Sequence, residues 1–84
     1  MSDSSKILFV DDEESILTGF KFTLGRSYKI YVSSSVTKAL EIFKDQGPFS
    51  VVISDFQMPV MNGAEFLQKI RELDKEVVTM LLTG

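Results

Sequence analysis

The sequence has no cysteine and no histidine among its 84 residues. Disulfide stapling, thiolate or imidazole metal ligation, and every nucleophilic triad built on His or Cys are therefore excluded. Carboxylates, hydroxyls and amides are the polar chemistry that remains. Long apolar runs are missing too, and none approaches the ~18 residues of a membrane-spanning helix. Positive charge is scarce: nine Lys and Arg against twelve Asp and Glu give a net charge of −3. That sign is opposite to the basic footprint that steers proteins to phosphate backbones or anionic membranes, so neither nucleic acid nor membrane is expected as a direct partner. The amino end, Met1 to Lys6, is polar and shows no apolar signal-peptide core, so the expected location is the cytoplasm.

What is present is the makeup of a folded domain. With 44% hydrophobic and 25% charged residues, the chain can bury a core and is too apolar for disorder. Hydrophobic cores usually serve ~100 to 200 residues apiece, so residues 1–84 read as a single domain and a two-domain enzyme is excluded. Strands are predicted at Lys6 to Val10, Tyr28 to Val32, Ser50 to Ser54 and Val77 to Leu82. Ile7-Leu8-Phe9-Val10 and Val51-Val52-Ile53 are continuously apolar, as strands covered on both faces of a parallel sheet are.

Three helical patterns lie between these strands. Ile16, Leu17, Phe20 and Leu24 form one stripe that stops at Gly25, with Phe22 roughly opposite it. Val36, Ala39, Leu40 and Phe43 form the second, after cap-forming Ser33-Ser34-Ser35 and before Gly47-Pro48. Phe66, Leu67, Ile70 and Leu73 form the third, opened by Asn62 and Glu65 at capping-box spacing. The order β-α-β-α-β-α-β calls for right-handed crossovers and an α/β parallel sheet.

In such a sheet, function collects beyond the carboxyl ends of the strands. Asp11 and Asp12 follow the first strand and Asp55 follows the third, so the three converge if those strands are neighbours. Clustered carboxylates raise one another's pKa or require a cation. Oxygen-only ligands suit Mg²⁺, which takes one or two carboxylates plus water and phosphate oxygens. A plainer role competes with this one: Asp12 or Glu13 can serve simply as the cap of the first helix. Met58-Pro59 and Asn62-Gly63 specify a shaped loop beside Asp55, and Thr83 adds a hydroxyl at the end of the fourth strand. Met58, Met61 and Met80 read as packing residues.

Three segments carry a resemblance: Phe9-Val10-Asp11-Asp12-Glu13, the run from Val52 through Asp55 and Met58-Pro59 to Gly63, and Leu81-Leu82-Thr83-Gly84. In that order and at strand ends they resemble the receiver domain of two-component response regulators. The resemblance implies a flavodoxin-like, doubly wound parallel sheet with strand order 2-1-3-4, and with the family's fifth strand and last two helices lying beyond Thr83. It implies that Asp55 accepts a phosphoryl group from a histidine kinase or phosphotransfer protein. By the same resemblance Mg²⁺ is held by Asp11, Asp12, Asp55 and the backbone carbonyl of Gln57, and Thr83 is the switch hydroxyl. Such a module modifies itself and is not an enzyme with a turnover substrate.

The family's fifth-strand lysine has no counterpart in Lys69 or Lys75, which precede the fourth strand. Phosphorylation without that lysine is expected to be slow or lost while metal binding survives. The alternative is then a scaffold or dimerisation fragment acting by protein contacts. The uncharged stretch from Val77 to Leu82 is expected to pair with another copy of the chain as an open edge. An aspartate-nucleophile phosphatase is disfavoured, because Gln57 stands where that motif needs a second aspartate. A nucleotide-binding unit is disfavoured because Asp11 to Glu14 would repel a pyrophosphate where a glycine-rich turn is needed.

Overall fold

A computed structural model of the chain describes residues 6–58 and 61–82. Its elements are β1 (Lys6–Val10), α1 (Glu14–Leu24), β2 (Lys29–Ser33), α2 (Val36–Gln46), β3 (Val51–Asp55), α3 (Gly63–Leu73) and β4 (Val78–Leu82). The strands form one sheet in the order β2-β1-β3-β4, with every neighbouring pair parallel. The parallel sheet is the one the alternation of elements called for, and its order is the doubly wound, flavodoxin-like one that the resemblance implied. The second, third and fourth strands each start one residue later than the sequence pattern placed them. Tyr28 is consequently left outside β2 and exposed, and Val77 lies outside β4 and is buried.

Side-chain alternation along the strands sorts the helices onto two layers. Leu8, Val10 and Val52 point to the face covered by α2 and α3, where they meet Val36, Ala39, Phe43, Phe66, Leu67 and Ile70 in one core. On the other face Phe9 packs on Phe20 of α1, with ring centroids 4.4 Å apart. All of Ile7 to Val10 is buried, as a central strand covered on both sides requires. Coverage is unequal at β4. Val78, Met80 and Leu82 are 56%, 49% and 44% exposed, because α1 lies over β1 and β2 and no described element lies over β4 on that side.

The helix starts follow their capping residues. The Asn62 side chain accepts from the Glu65 amide at 2.9 Å while the Glu65 carboxylate accepts from the Asn62 amide at 3.3 Å, completing the expected capping box. Ser35 caps α2 by accepting from the Lys38 amide. At α1 the expectation is met in position only: Glu13 occupies the cap position, but its side chain makes no capping bond. The Asp11 carboxylate instead accepts from the Glu13 amide at 3.0 Å, closing a short turn that leads into the helix.

Candidate functional site

The chain runs from β1 outward to β2, then crosses back over the sheet to place β3 on the other flank of β1. Strand order therefore reverses between β1 and β3, and a crevice opens beyond their carboxyl ends. The parallel register pairs Ile7 with Val51 and Val10 with Ser54. One step further along that register sets Asp11 beside Asp55. Both continue the alternation of Phe9 and Ile53, so they share a face. Asp12 follows at the mouth of the crevice.

The outcome is a cup in which one carboxylate oxygen from each of Asp11, Asp12 and Asp55 lies within 4.8 Å of the other two. The three differ in exposure: Asp11 is buried, Asp55 half-buried and Asp12 exposed. That gradient leaves the cup open to solvent on one side. Burial pushes the Asp11 carboxyl above its ordinary value of 3.8; the Glu13 amide opposes this, and the charges of Asp55 and Asp12 add to the upward push. Crowded carboxylates of this kind, with oxygen as the only donor element, fit a hard divalent cation with water completing its shell. The fit is chemical as well as spatial, since the sequence offers no imidazole or thiolate to favour a softer metal.

Asp11, Asp12 and Asp55 are thus brought together as the sequence implied. Gln57 lies two residues past Asp55 in an exposed stretch of the following loop. Thr83 and Pro59 lie outside the described residues.

Two further residues shape the site: Ser54, which no sequence pattern marked, and Gly63, expected in the shaped loop beside Asp55. Ser54 is fully buried and its hydroxyl donates to the Asp55 carbonyl at 2.9 Å. Gly63 opens α3 directly against the same group: a Cβ there would overlap the Asp55 carbonyl oxygen and stand 2.9 Å from its carbon. The requirement for glycine is spatial, since no described glycine has a positive φ. The Asn62-Gly63 turn was legible as a loop beside Asp55, but the packing of Gly63 directly on the Asp55 carbonyl depends on how α3 folds back.

Over residues 7–84 the chain matches the family described as the response regulator receiver domain, and it belongs to that family. It is 34% identical over its whole length to the hydrogenase transcriptional regulatory protein HoxA of Cupriavidus necator, covering 17% of that protein. It is 29% identical to the sensor kinase CckA of Brucella abortus, again over its whole length and over 9% of the relative. Among solved structures, a response regulator receiver domain from Clostridium thermocellum superimposes with a TM-score of 0.88 at 35% identity, over 95% of this chain and 65% of that one. The chain therefore spans a small fraction of the curated relatives it matches and about two thirds of the solved receiver.

Proposed function

We propose that the chain accepts a phosphoryl group on Asp55 from a phosphohistidine of a kinase or phosphotransfer protein, in a Mg²⁺-dependent step of a two-component phosphorelay. The observation that carries this reading is the convergence of Asp11, Asp12 and Asp55 within 4.8 Å at the strand-order reversal. Membership of the receiver family supports it, because receiver domains are phosphoacceptor modules rather than turnover enzymes. The similarity to a sensor kinase and to a transcriptional regulatory protein supports a signalling partner. The net charge of −3 supports protein partners over nucleic acid or anionic membrane. No described helix is long and apolar enough to cross a membrane, and the cytoplasm is the proposed location.

In this reading Asp11, Asp12, Asp55 and the Gln57 carbonyl hold Mg²⁺. The ion supplies positive charge where an anionic carboxylate must approach an anionic phosphoryl group. An Asp55 oxygen attacks phosphorus in line. The O–P bond forms as the donor's N–P bond breaks, and the electron pair leaves on the imidazole nitrogen. The half-buried position of Asp55 keeps one side of its carboxylate open for that approach. Exposed Asp12 meets incoming water and ion first, while buried Asp11, held by the Glu13 amide, forms the floor. Thr83 is assigned to a phosphoryl oxygen. Phosphoryl transfer asks for positioning and neutralised charge more than covalent machinery, and a divalent cation held among these three carboxylates would supply the second. The four described strands are proposed as the leading part of one receiver domain.

A small acyl phosphate donor with Mg²⁺ tests the proposal. Intact-mass measurement is expected to show a single, slowly formed phosphoryl adduct on the wild type, in keeping with the lysine that Lys69 and Lys75 do not replace, none with Asp55→Asn, and none after chelation of the metal. A second reading, a scaffold that acts only through contacts, is favoured by the apolar exposure of β4. Absence of any adduct on well-folded wild type would leave that reading standing alone.

A further inference from the structure

We infer that Ser54 is a positioning residue for the acidic cup, setting its affinity for a divalent cation through the backbone that follows Asp55. This rests on the reading of the cup as a cation site. The peptide group joining Asp55 to Phe56 is fixed at both ends. Its N–H donates to the Leu82 carbonyl at 3.0 Å, which ties it to β4. Its C=O accepts from the Ser54 hydroxyl at 2.9 Å. Gly63 closes the remaining side, with space for no side-chain atom between α3 and that carbonyl, and its own amide donates to the Phe56 carbonyl at 2.8 Å.

The consequence is geometric. This peptide group sets ψ of Asp55 and with it the direction in which Phe56 and Gln57 leave the strand. Ser54 is 0% exposed, so its hydroxyl is withdrawn from water and the part-buried bond it makes is electrostatically stronger than one at the surface. Neighbouring strand residues point to opposite faces, so Ser54 projects toward the helix layer of α2 and α3 while Asp55 projects with Asp11. Ser54 thus touches no ion in the cup. It acts on the loop that carries the Gln57 carbonyl, as outer-shell partners do when they orient a metal's ligands.

Mn²⁺, followed by electron paramagnetic resonance of the free ion, is the probe. Wild-type protein is expected to bind one Mn²⁺, and Ser54→Ala to bind it about tenfold more weakly, in line with the loss of an outer-shell partner. Ser54→Thr, which restores a hydroxyl at the same position, is expected to recover most of that loss. All titrations are made well below each variant's melting midpoint, so a general loss of stability does not register as lost affinity. Ser54→Cys, close in volume but a weak donor, decides in the same way should the alanine variant fail to fold. Alanine or cysteine variants that bind Mn²⁺ within twofold of wild type would overturn the inference. If wild type itself binds no Mn²⁺, or Asp12→Asn leaves binding unchanged, it is the cation site that fails instead.

Discussion

Asp11 is the residue on which the electrostatics of the cup turn. Its pKa is raised chiefly by burial, with the Glu13 amide acting against the shift and the charges of Asp55 and Asp12 acting with it. A carboxyl whose pKa is higher in the folded state favours folding in its protonated form. Its contribution is complete below the unfolded value of 3.8 and is lost as pH rises through the folded value. At pH 7 the metal-free protein therefore carries Asp11 as a liability. Asp11→Asn keeps an oxygen to accept from the Glu13 amide and removes the charge. The variant is expected to melt above wild type at pH 7 without metal, and the gap is expected to close as pH falls below the carboxylate range. Circular dichroism melts across that range check it, and a variant that melts below wild type at pH 7 would contradict the assignment. Added Mg²⁺ should raise the wild-type midpoint more than the variant's, because only ligand that binds the folded state stabilises it. The three aspartates were legible in the sequence because strand ends in a parallel sheet have a known destination. Ser54 was not, since its role depends on a bond to the next residue's carbonyl that no spacing encodes.

At the scale of elements, the helix starts show how local sequence is converted into placement of the site. The Asn62 and Glu65 box satisfies two amides that the first turn of α3 would otherwise leave without partners, and it fixes the residue before Gly63. Asn62→Ala removes the acceptor for the Glu65 amide and should cost about 1 kcal/mol of stability, within the usual range for losing such a cap. Urea unfolding measures this directly, and a cost near zero would show that tertiary packing of Phe66, Leu67 and Ile70 holds the helix start without the cap. The capping box, the Ser35 cap and all four strands were readable in advance, because each is a local pattern of side chains with a defined backbone consequence. The cap of α1 was not. A run of four acidic residues, Asp11 to Glu14, gives no local cue to which carboxylate bends back, and β1 decides it by burying Asp11. The apolar stripes were also read more evenly than they are used: Ile16 and Leu73 are 43% and 50% exposed, since each lies at the edge of the area its helix covers.

For the whole molecule, the uneven covering of the sheet matters most. The radius of gyration is 11.7 Å, close to the ~12 Å of a compact domain this long, so the described strands and helices are fully condensed. Yet β4 stands at one edge of the sheet with Val78, Met80, Leu81 and Leu82 exposed and with no charged residue in the strand. The opposite edge, β2, is better protected: it begins with Lys29, buries Ile30 and Ser33, and packs against both α1 and α2. An uncharged, apolar edge strand offers unpaired backbone donors and acceptors together with hydrophobic side chains, which is the template for pairing with another copy. The 84-residue chain is therefore expected to self-associate through β4 at tens of micromolar. Met80→Lys places a charge in the middle of that edge without touching the buried core and should shift the population to monomer. Sedimentation velocity on both proteins is the check. A wild-type monomer at that concentration removes β4 pairing, and an undiminished oligomer in Met80→Lys moves the contact to another surface.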